Sequence, residues 1–209
     1  LKENLSIADF MYRKEMVVRS EWRIISNNLA RHKIKLIHGE ASLKDAHTVA
    51  VQSNTGETVY SAEVILIATG SSPLHPEGIP FDKKHIFDSD DILHMDRIPK
   101  SMVVIGGGVI GTEYASIFTA LGVNVTLVEP RGRLLAFVDA EIVARLTRHL
   151  ETLGLKFIFN DRMASIEVNN SQVQLNLQSG TTSKFDIALI AAGRQSNVHN
   201  LGLEAIGVN

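Results

Sequence analysis

Apolar residues recur at helical spacing near the start of the chain. Ile7, Phe10, Met11, Val17, Val18, Trp22, Ile25 and Leu29 follow one another at intervals that keep them on one helix face. The spacing predicts one long amphipathic helix over 6–31, with Ser6 as its N-cap and Asp9 three residues on. Its methionine and aromatic stripe is expected to be core. The period then changes. Ile34-Lys35-Leu36-Ile37, Thr48-Val49-Ala50-Val51 and Glu57-Thr58-Val59-Tyr60 are short, rich in β-branched residues and separated by turn formers. They predict an antiparallel ribbon or small sheet. Val64-Ile65-Leu66-Ile67-Ala68 is a continuous apolar run, the composition of a strand buried on both faces.

Residues 71–80 hold Pro73, Pro76 and Pro80, three of the five prolines, and predict a linker and a domain boundary. Beyond it the pattern alternates between periods of two and 3.6. Met102–Ile105, Val123–Val128 and Lys156–Phe159 read as strands, with helices over Gly106–Leu121 and Ala140–Leu153 between them. Met163–Val168 and Val173–Leu177 bracket Asn169-Asn170-Ser171 as a hairpin, and Phe185–Ile190 reads as a last buried strand. Strands alternating with helices predict an α/β fold with a parallel sheet and right-handed crossovers. Glu63–Gly70 and Phe185–Gly193 echo each other: an acid, an apolar strand, two small residues and a glycine.

Composition narrows the function classes. The 209 residues carry 21 Lys+Arg against 23 Asp+Glu, a net charge of −2, so a strongly basic nucleic-acid binder is not the expectation. No apolar run approaches the roughly 18 residues of a membrane span. The absence of cysteine excludes a thiolate metal site within this segment. The eight histidines are scattered without ligand spacing, and no metal site is expected. The chain begins at Leu1 without a basic-then-apolar leader. It is expected to be an internal piece of a soluble, cytoplasmic protein.

The strongest chemical signal is Gly106-Gly107-Gly108-Val109-Ile110-Gly111. It fits G-x-G-x-x-G directly after a predicted strand and at the start of a predicted helix. Gly106 permits a tight turn, Gly108 leaves the pyrophosphate room, and Gly111 lets helix and strand pack closely. The helix N-terminus then faces the phosphates. Glu129 ends the next predicted strand, near the ~20-residue spacing of a ribose-binding acid. A carboxylate there favours NAD and repels the 2′-phosphate of NADP by about 4 kcal/mol per unit charge at ~4 Å and an effective dielectric near 20. Arg131 and Arg133 follow at once, and each charge-assisted bond to a phosphate returns roughly 1.5–3 kcal/mol. NAD is favoured and NADP stays open. Glu113 lies in the first helical turn, where a carboxylate suits the helix dipole.

Taken together, Ala68-Thr69-Gly70, Gly106–Gly111 with Glu113 and Glu129, and Ala192-Gly193-Arg194-Gln195-Ser196-Asn197 resemble the FAD-dependent pyridine nucleotide–disulfide oxidoreductase family. The resemblance covers essentially the whole chain but less than half of such an enzyme. It implies a Rossmann-like three-layer NAD-binding domain inserted into a partial FAD-binding domain. Residues 1–73 would belong to the FAD domain, 74–194 would form the NAD(P) domain, and 195–209 would begin the return segment. The first FAD motif and any redox cysteines would precede Leu1, and a later flavin motif and a dimerisation domain would follow Asn209. A homo-oligomer is implied for the full-length protein.

The family's roles carry over by position. Gly39-Glu40-Ala41 would meet the adenine of FAD, and Ala68-Thr69-Gly70 would end the flavin-side strand. Gly106, Gly107, Gly108, Val109, Ile110 and Gly111 would hold the NAD pyrophosphate. Glu113 would stand near the nicotinamide, and Val109 would occupy the family's gating position. Met163 would flank the adenine end and Gly193 the nicotinamide end. The family's Gly-Arg-x-Pro-Asn reads Gly193-Arg194-Gln195-Ser196-Asn197 here, without the proline.

Further likeness, in Asp88–Leu93, Glu113–Phe118 and Arg133–Asp139, implies hydride transfer from NADPH to the flavin and on to NAD+, a Si-specific transhydrogenase activity. The cofactors carry that chemistry, so no catalytic side chain is expected in this segment. Two alternatives stay open: a fragment of a dihydrolipoamide-dehydrogenase-like disulfide reductase, and a module that senses NAD(H) without turnover. The purified chain is expected to be colourless and inactive, yet to bind nicotinamide nucleotides.

Overall fold

The computed structural model describes residues 7–208, without the side chain of Phe10. In chain order the elements are α1 (Ile7–Arg31), β1 (Glu40–Asp45), β2 (Thr48–Ser53), β3 (Gly56–Ser61), β4 (Ser71–Pro73), β5 (Ile86–Phe87), β6 (Ser101–Ile105), α2 (Val109–Ala120), β7 (Asn124–Glu129), α3 (Ala140–Thr152), β8 (Lys156–Phe159), β9 (Met163–Asn169), β10 (Gln172–Leu177), β11 (Thr182–Phe185), β12 (Ile187–Ile190) and β13 (Arg194–Ser196). The chain divides into two units. The first takes the described part of Leu1–Arg13 with Pro73–Arg194; the second takes Lys14–Ser72 with the described part of Gln195–Asn209. The long segment Pro73–Arg194 of the first thus lies, along the sequence, between the two segments of the second. Ser6, the expected N-cap of α1, lies outside the described residues.

In the first unit β5, β12, β6, β7 and β8 lie side by side in that order, every neighbouring pair parallel. Residues alternate between the sheet's two faces. Met102 and Val104, Val125 and Leu127, Ile187 and Leu189 pack with Ala115 and Phe118 of α2 and Val143 and Leu150 of α3. The intervening Val103, Val128, Ala188 and Ile190 pack with Ile166, Val173, Leu175 and Phe185 of the antiparallel sheet β11-β10-β9. Helices on one face and a small sheet on the other make a Rossmann-like three-layer α/β unit. Asp139 caps α3, its Oδ1 accepting from the N–H of Glu141 at 2.9 Å and of Ile142 at 3.3 Å. The β9–β10 hairpin turns as expected, through Asn170 (φ 51°) and Ser171 (φ 60°), the left-handed pair that suits a two-residue loop.

In the second unit β1, β2 and β3 form an antiparallel sheet. The return segment packs on it, with the Leu43 N–H donating to Leu201 O at 2.8 Å.

Four expectations need correction. Ile34–Ile37 and Val64–Ala68 are not strands. Val64 is 84% and Leu66 87% exposed, because an apolar run becomes a strand only where neighbours accept its backbone groups. The first strand of the ribbon is instead β1, whose polar sequence hid it. Phe185–Ile190 is two strands in two sheets. Asp186 breaks it, its Oδ2 accepting from the N–H of Lys100 at 2.8 Å and of Ser101 at 3.0 Å. Finally, the stripe of α1 is core only at its start. Ile7 and Met11 pack on the first unit's cluster, whereas Val17, Val18, Ile25 and Trp22, the last 53% exposed, face solvent.

Candidate functional site

β6 runs into Gly106 at its carboxyl end, and there the chain must turn sharply into α2. Gly106 sits at φ 109°, a conformation that only glycine adopts freely. Its N–H donates to Val128 O at 2.9 Å, which ties the turn to β7. A Cβ on Gly106 would stand 2.5 Å from Ala191 O, at the end of β12. A Cβ on Gly111 would strike the carbonyl of Gly106, so helix and turn touch backbone to backbone. Gly108 differs from both. It is the N-cap of α2 with ordinary φ (−75°) and provides no side-chain cap, and a Cβ there would meet nothing within 4 Å. The first N–H groups of a helix have no partner within it, and the space beside Gly108 is open. This arrangement fits an anionic diphosphate group, which helix N-termini favour.

Glu129 closes the side of the turn. It is 1% exposed, and its Oε2 accepts from the Gly107 N–H at 2.6 Å. Its Oε1 accepts from the Arg131 N–H at 3.0 Å and from Arg131 Nε at 2.6 Å, and Arg131 Nη2 reaches Oε2 at 3.3 Å. Burial alone would push this carboxyl up. The guanidinium and the two backbone N–H groups outweigh it and hold the carboxyl below the usual glutamate value. The Leu135 N–H donates to Gly107 O at 2.9 Å, and Leu134 is fully buried close to Gly107.

The carboxyl edge of the parallel sheet thus brings together Gly106, Gly107, Glu129 and Arg131, with Gly193 (φ 113°) just beyond β12. Val109, half-exposed, Ile110, partly buried, and Glu113, exposed, lie on the first turns of α2. Arg133 points back to its own loop, its Nη2 donating to Ala136 O at 2.6 Å. Met163 begins β9 and packs with the core of the antiparallel sheet.

In the second unit Gly39, Glu40 and Ala41 form the exposed entry to β1. A Cβ on Gly39 would lie 2.6 Å from Gln52 O, so that glycine is needed for close approach to β2. Ala68, Thr69 and Gly70 are exposed. Asn197 fastens them, Nδ2 donating to Thr69 O at 3.1 Å and the N–H to Gly70 O at 3.0 Å.

Sequence reasoning missed two groups. The first is the Arg131 clamp on Glu129, because spacing locates a side chain without giving its direction. The second is a network behind the turn. Tyr114 Oη donates to Ser89 O at 2.9 Å, Arg194 Nη1 donates to Asp90 Oδ1 at 2.9 Å, and His75 Nε2 donates to Asp88 Oδ2 at 2.6 Å while its ring stacks on Phe81. The runs Asp88–Asp91 and Gly193–Asn197 were its visible trace.

Among the described residues no group of histidines and acids could hold a metal ion. None of their helices is long and apolar enough to cross a membrane.

Known proteins resemble this chain throughout. It is 38% identical over 214 residues to a protein named soluble pyridine nucleotide transhydrogenase from Mycobacterium tuberculosis, covering 99% of this chain and 46% of the relative. A protein of the same name from Pectobacterium atrosepticum is 42% identical over 98% of this chain and 44% of its own length. The chain spans about half the length of the curated relatives it matches. Among solved structures, LpdA from Mycobacterium tuberculosis superposes with a TM-score of 0.92 at 26% identity, over 99% of this chain and 47% of that one. The HOCl-induced flavoprotein disulfide reductase RclA from Escherichia coli follows at 0.84 and 30%, over 95% and 45%. Residues 3–209 match the family described as pyridine nucleotide-disulphide oxidoreductase, and the chain belongs to that family.

Proposed function

We propose that this chain is the nicotinamide-nucleotide-binding unit and part of the FAD-binding unit of a soluble, Si-specific transhydrogenase that passes hydride from NADPH to NAD+ through FAD. The observation that carries the reading is the glycine turn: a helix N-terminus without a side-chain cap, opening onto free space at Gly108, with a buried acid beside it. The relatives named as transhydrogenases, at 38–42% identity, support the activity. The likeness to a flavoprotein disulfide reductase at 30% identity keeps a dihydrolipoamide-dehydrogenase-like reductase as the second reading.

FAD and the nicotinamide ring, when bound, supply the hydride chemistry. The chain's own part is binding and alignment. Gly106–Gly111 hold the pyrophosphate, Glu129 and Arg131 meet the adenosine ribose, and Val109, Glu113 and Gly193 border the nicotinamide end, with Met163 toward the adenine. Residues 74–194 are the NAD(P) domain. Residues 1–73 belong to the FAD domain and 195–209 return to it. There Gly39–Ala41 and Ala68–Gly70 are the FAD-contacting ends. The name shared by the relatives describes soluble proteins and supports a cytoplasmic location; the whole enzyme is read as a homo-oligomer.

Calorimetric titration of the purified chain with NADH and NADPH tests this. The expected result is a colourless chain without transhydrogenase turnover that binds nucleotide. Gly108→Ala keeps the melting temperature, since its Cβ enters open space, but weakens both nucleotides at least tenfold, about 1.4 kcal/mol. A wild-type chain that binds neither nucleotide, or a Gly108→Ala variant that binds as well as wild type, overturns the proposal.

A further inference from the structure

The carboxylate of Glu129 is saturated. An ionised carboxylate offers about four lone-pair positions, and four donors fill them. These are the N–H of Gly107 at 2.6 Å, the N–H of Arg131 at 3.0 Å, Nε of Arg131 at 2.6 Å and Nη2 of Arg131 at 3.3 Å. In this arrangement the acid cannot accept from the two hydroxyls of a ribose. The four donors are not alike. The two backbone N–H groups are fixed by the turn and by β7. The guanidinium belongs to a side chain that is 58% exposed, while its acid partner is 1% exposed. Only Arg131 can leave.

We propose that Arg131 is a two-position selector that lets one site take nucleotides with and without a 2′-phosphate. This rests on the nucleotide-binding reading above. With Arg131 on Glu129 the pair is neutral, so the buried acid no longer repels a phosphate dianion. Three of the five guanidinium N–H donors remain for the phosphate oxygens. With Arg131 swung into solvent, Glu129 regains two acceptor positions for the 2′- and 3′-hydroxyls and presents a bare negative charge. Each nucleotide therefore draws the side chain to a different position, to the extent that it binds the two positions unequally. Arg133, whose guanidinium is engaged by Ala136 O, is not the selector.

The test is calorimetric titration of the full chain, wild type, Arg131→Gln and Glu129→Gln, with NADH and NADPH at low and moderate salt. Circular dichroism checks the fold of each. Arg131→Gln changes a largely exposed side chain and stays folded, so the test does not depend on the buried Glu129→Gln variant. Arg131→Gln weakens NADPH at least tenfold and leaves NADH equal or tighter, because the competitor for Glu129 is gone. Most of the salt dependence of NADPH binding disappears with it. Glu129→Gln does the reverse, weakening NADH and sparing NADPH. If Arg131→Gln leaves both affinities unchanged, shifts both by the same factor, or harms NADH more, the selector is overturned while the nucleotide site stands. If the wild-type chain binds neither nucleotide, the site itself is overturned and the selector with it.

Discussion

Two stretches of this chain are written almost alike and fold differently. Asp186–Gly193 and Glu63–Gly70 each begin with an acid, continue through an apolar run and end in small residues and glycine. In the first unit Ile187–Ile190 is β12, flanked by β5 and β6, with all four side chains buried. In the second unit Val64–Ala68 forms no strand, and Val64 and Leu66 are almost fully exposed. Hydrophobicity states what a segment would gain by burial. The sheet neighbours decide whether it is buried, because each backbone N–H and C=O taken from water needs a partner.

The difference is sharpest in side-chain truncation. Leu189 is 0% exposed and lies in the helix-facing core. Leu189→Ala should cost about 3 kcal/mol, within the usual range for a buried leucine. Leu66→Ala, at 87% exposure, should change stability by less than about 0.5 kcal/mol. Urea unfolding of both variants measures the contrast. Equal losses would mean that Val64–Ala68 is packed in solution, and the comparison would break.

A smaller effect is expected at the acid that opens each run. Asp186 Oδ2 accepts from two backbone N–H groups, those of Lys100 and Ser101, and so fixes the point where β11 leaves one sheet and β12 enters another. Asp186→Ala should cost about 1–2 kcal/mol through the orphaned donors. Glu63 is exposed, and Glu63→Ala should cost nothing measurable in the same unfolding experiment.

These pairs explain what was legible in the sequence. β6, α2, β7, α3, β8 and the β9–β10 hairpin could be read directly, because each advertises its own period, cap or turn. Asp139 ahead of α3 and Asn170-Ser171 in the hairpin are local signals that carry their own hydrogen bonds or dihedrals. β1 was hidden because Glu40-Ala41-Ser42-Leu43-Lys44-Asp45 holds no apolar run and owes its form to pairing with β2. The break at Asp186 depends on Lys100 and Ser101, far away in sequence. At the candidate site, Gly106–Gly111 and Glu129 could be read because glycine spacing reports backbone geometry. The clamp of Arg131 on Glu129 could not, since two arginines at 131 and 133 are equivalent in sequence and only the fold sends one to the acid and the other to Ala136 O.

The two runs should behave alike at one place only, the glycine that ends each. Gly70 has φ 72° and Gly193 has φ 113°, and a Cβ on either would meet nothing within 4 Å. The cost of alanine is then purely conformational, about 1–2 kcal/mol at a left-handed position, and independent of how deeply the preceding run is buried. Both turns are also pinned: Gly193 O accepts from the Leu74 N–H at 3.0 Å, and Gly70 O accepts from the Asn197 N–H at 3.0 Å. Gly70→Ala and Gly193→Ala should therefore lower stability by similar amounts, even though Leu66→Ala and Leu189→Ala do not. A costless Gly70→Ala beside a costly Gly193→Ala would mean that the turn at Gly70 is not held by Asn197 when the preceding run lacks neighbours. The second unit's ending would then depend on sheet partners just as its apolar run does.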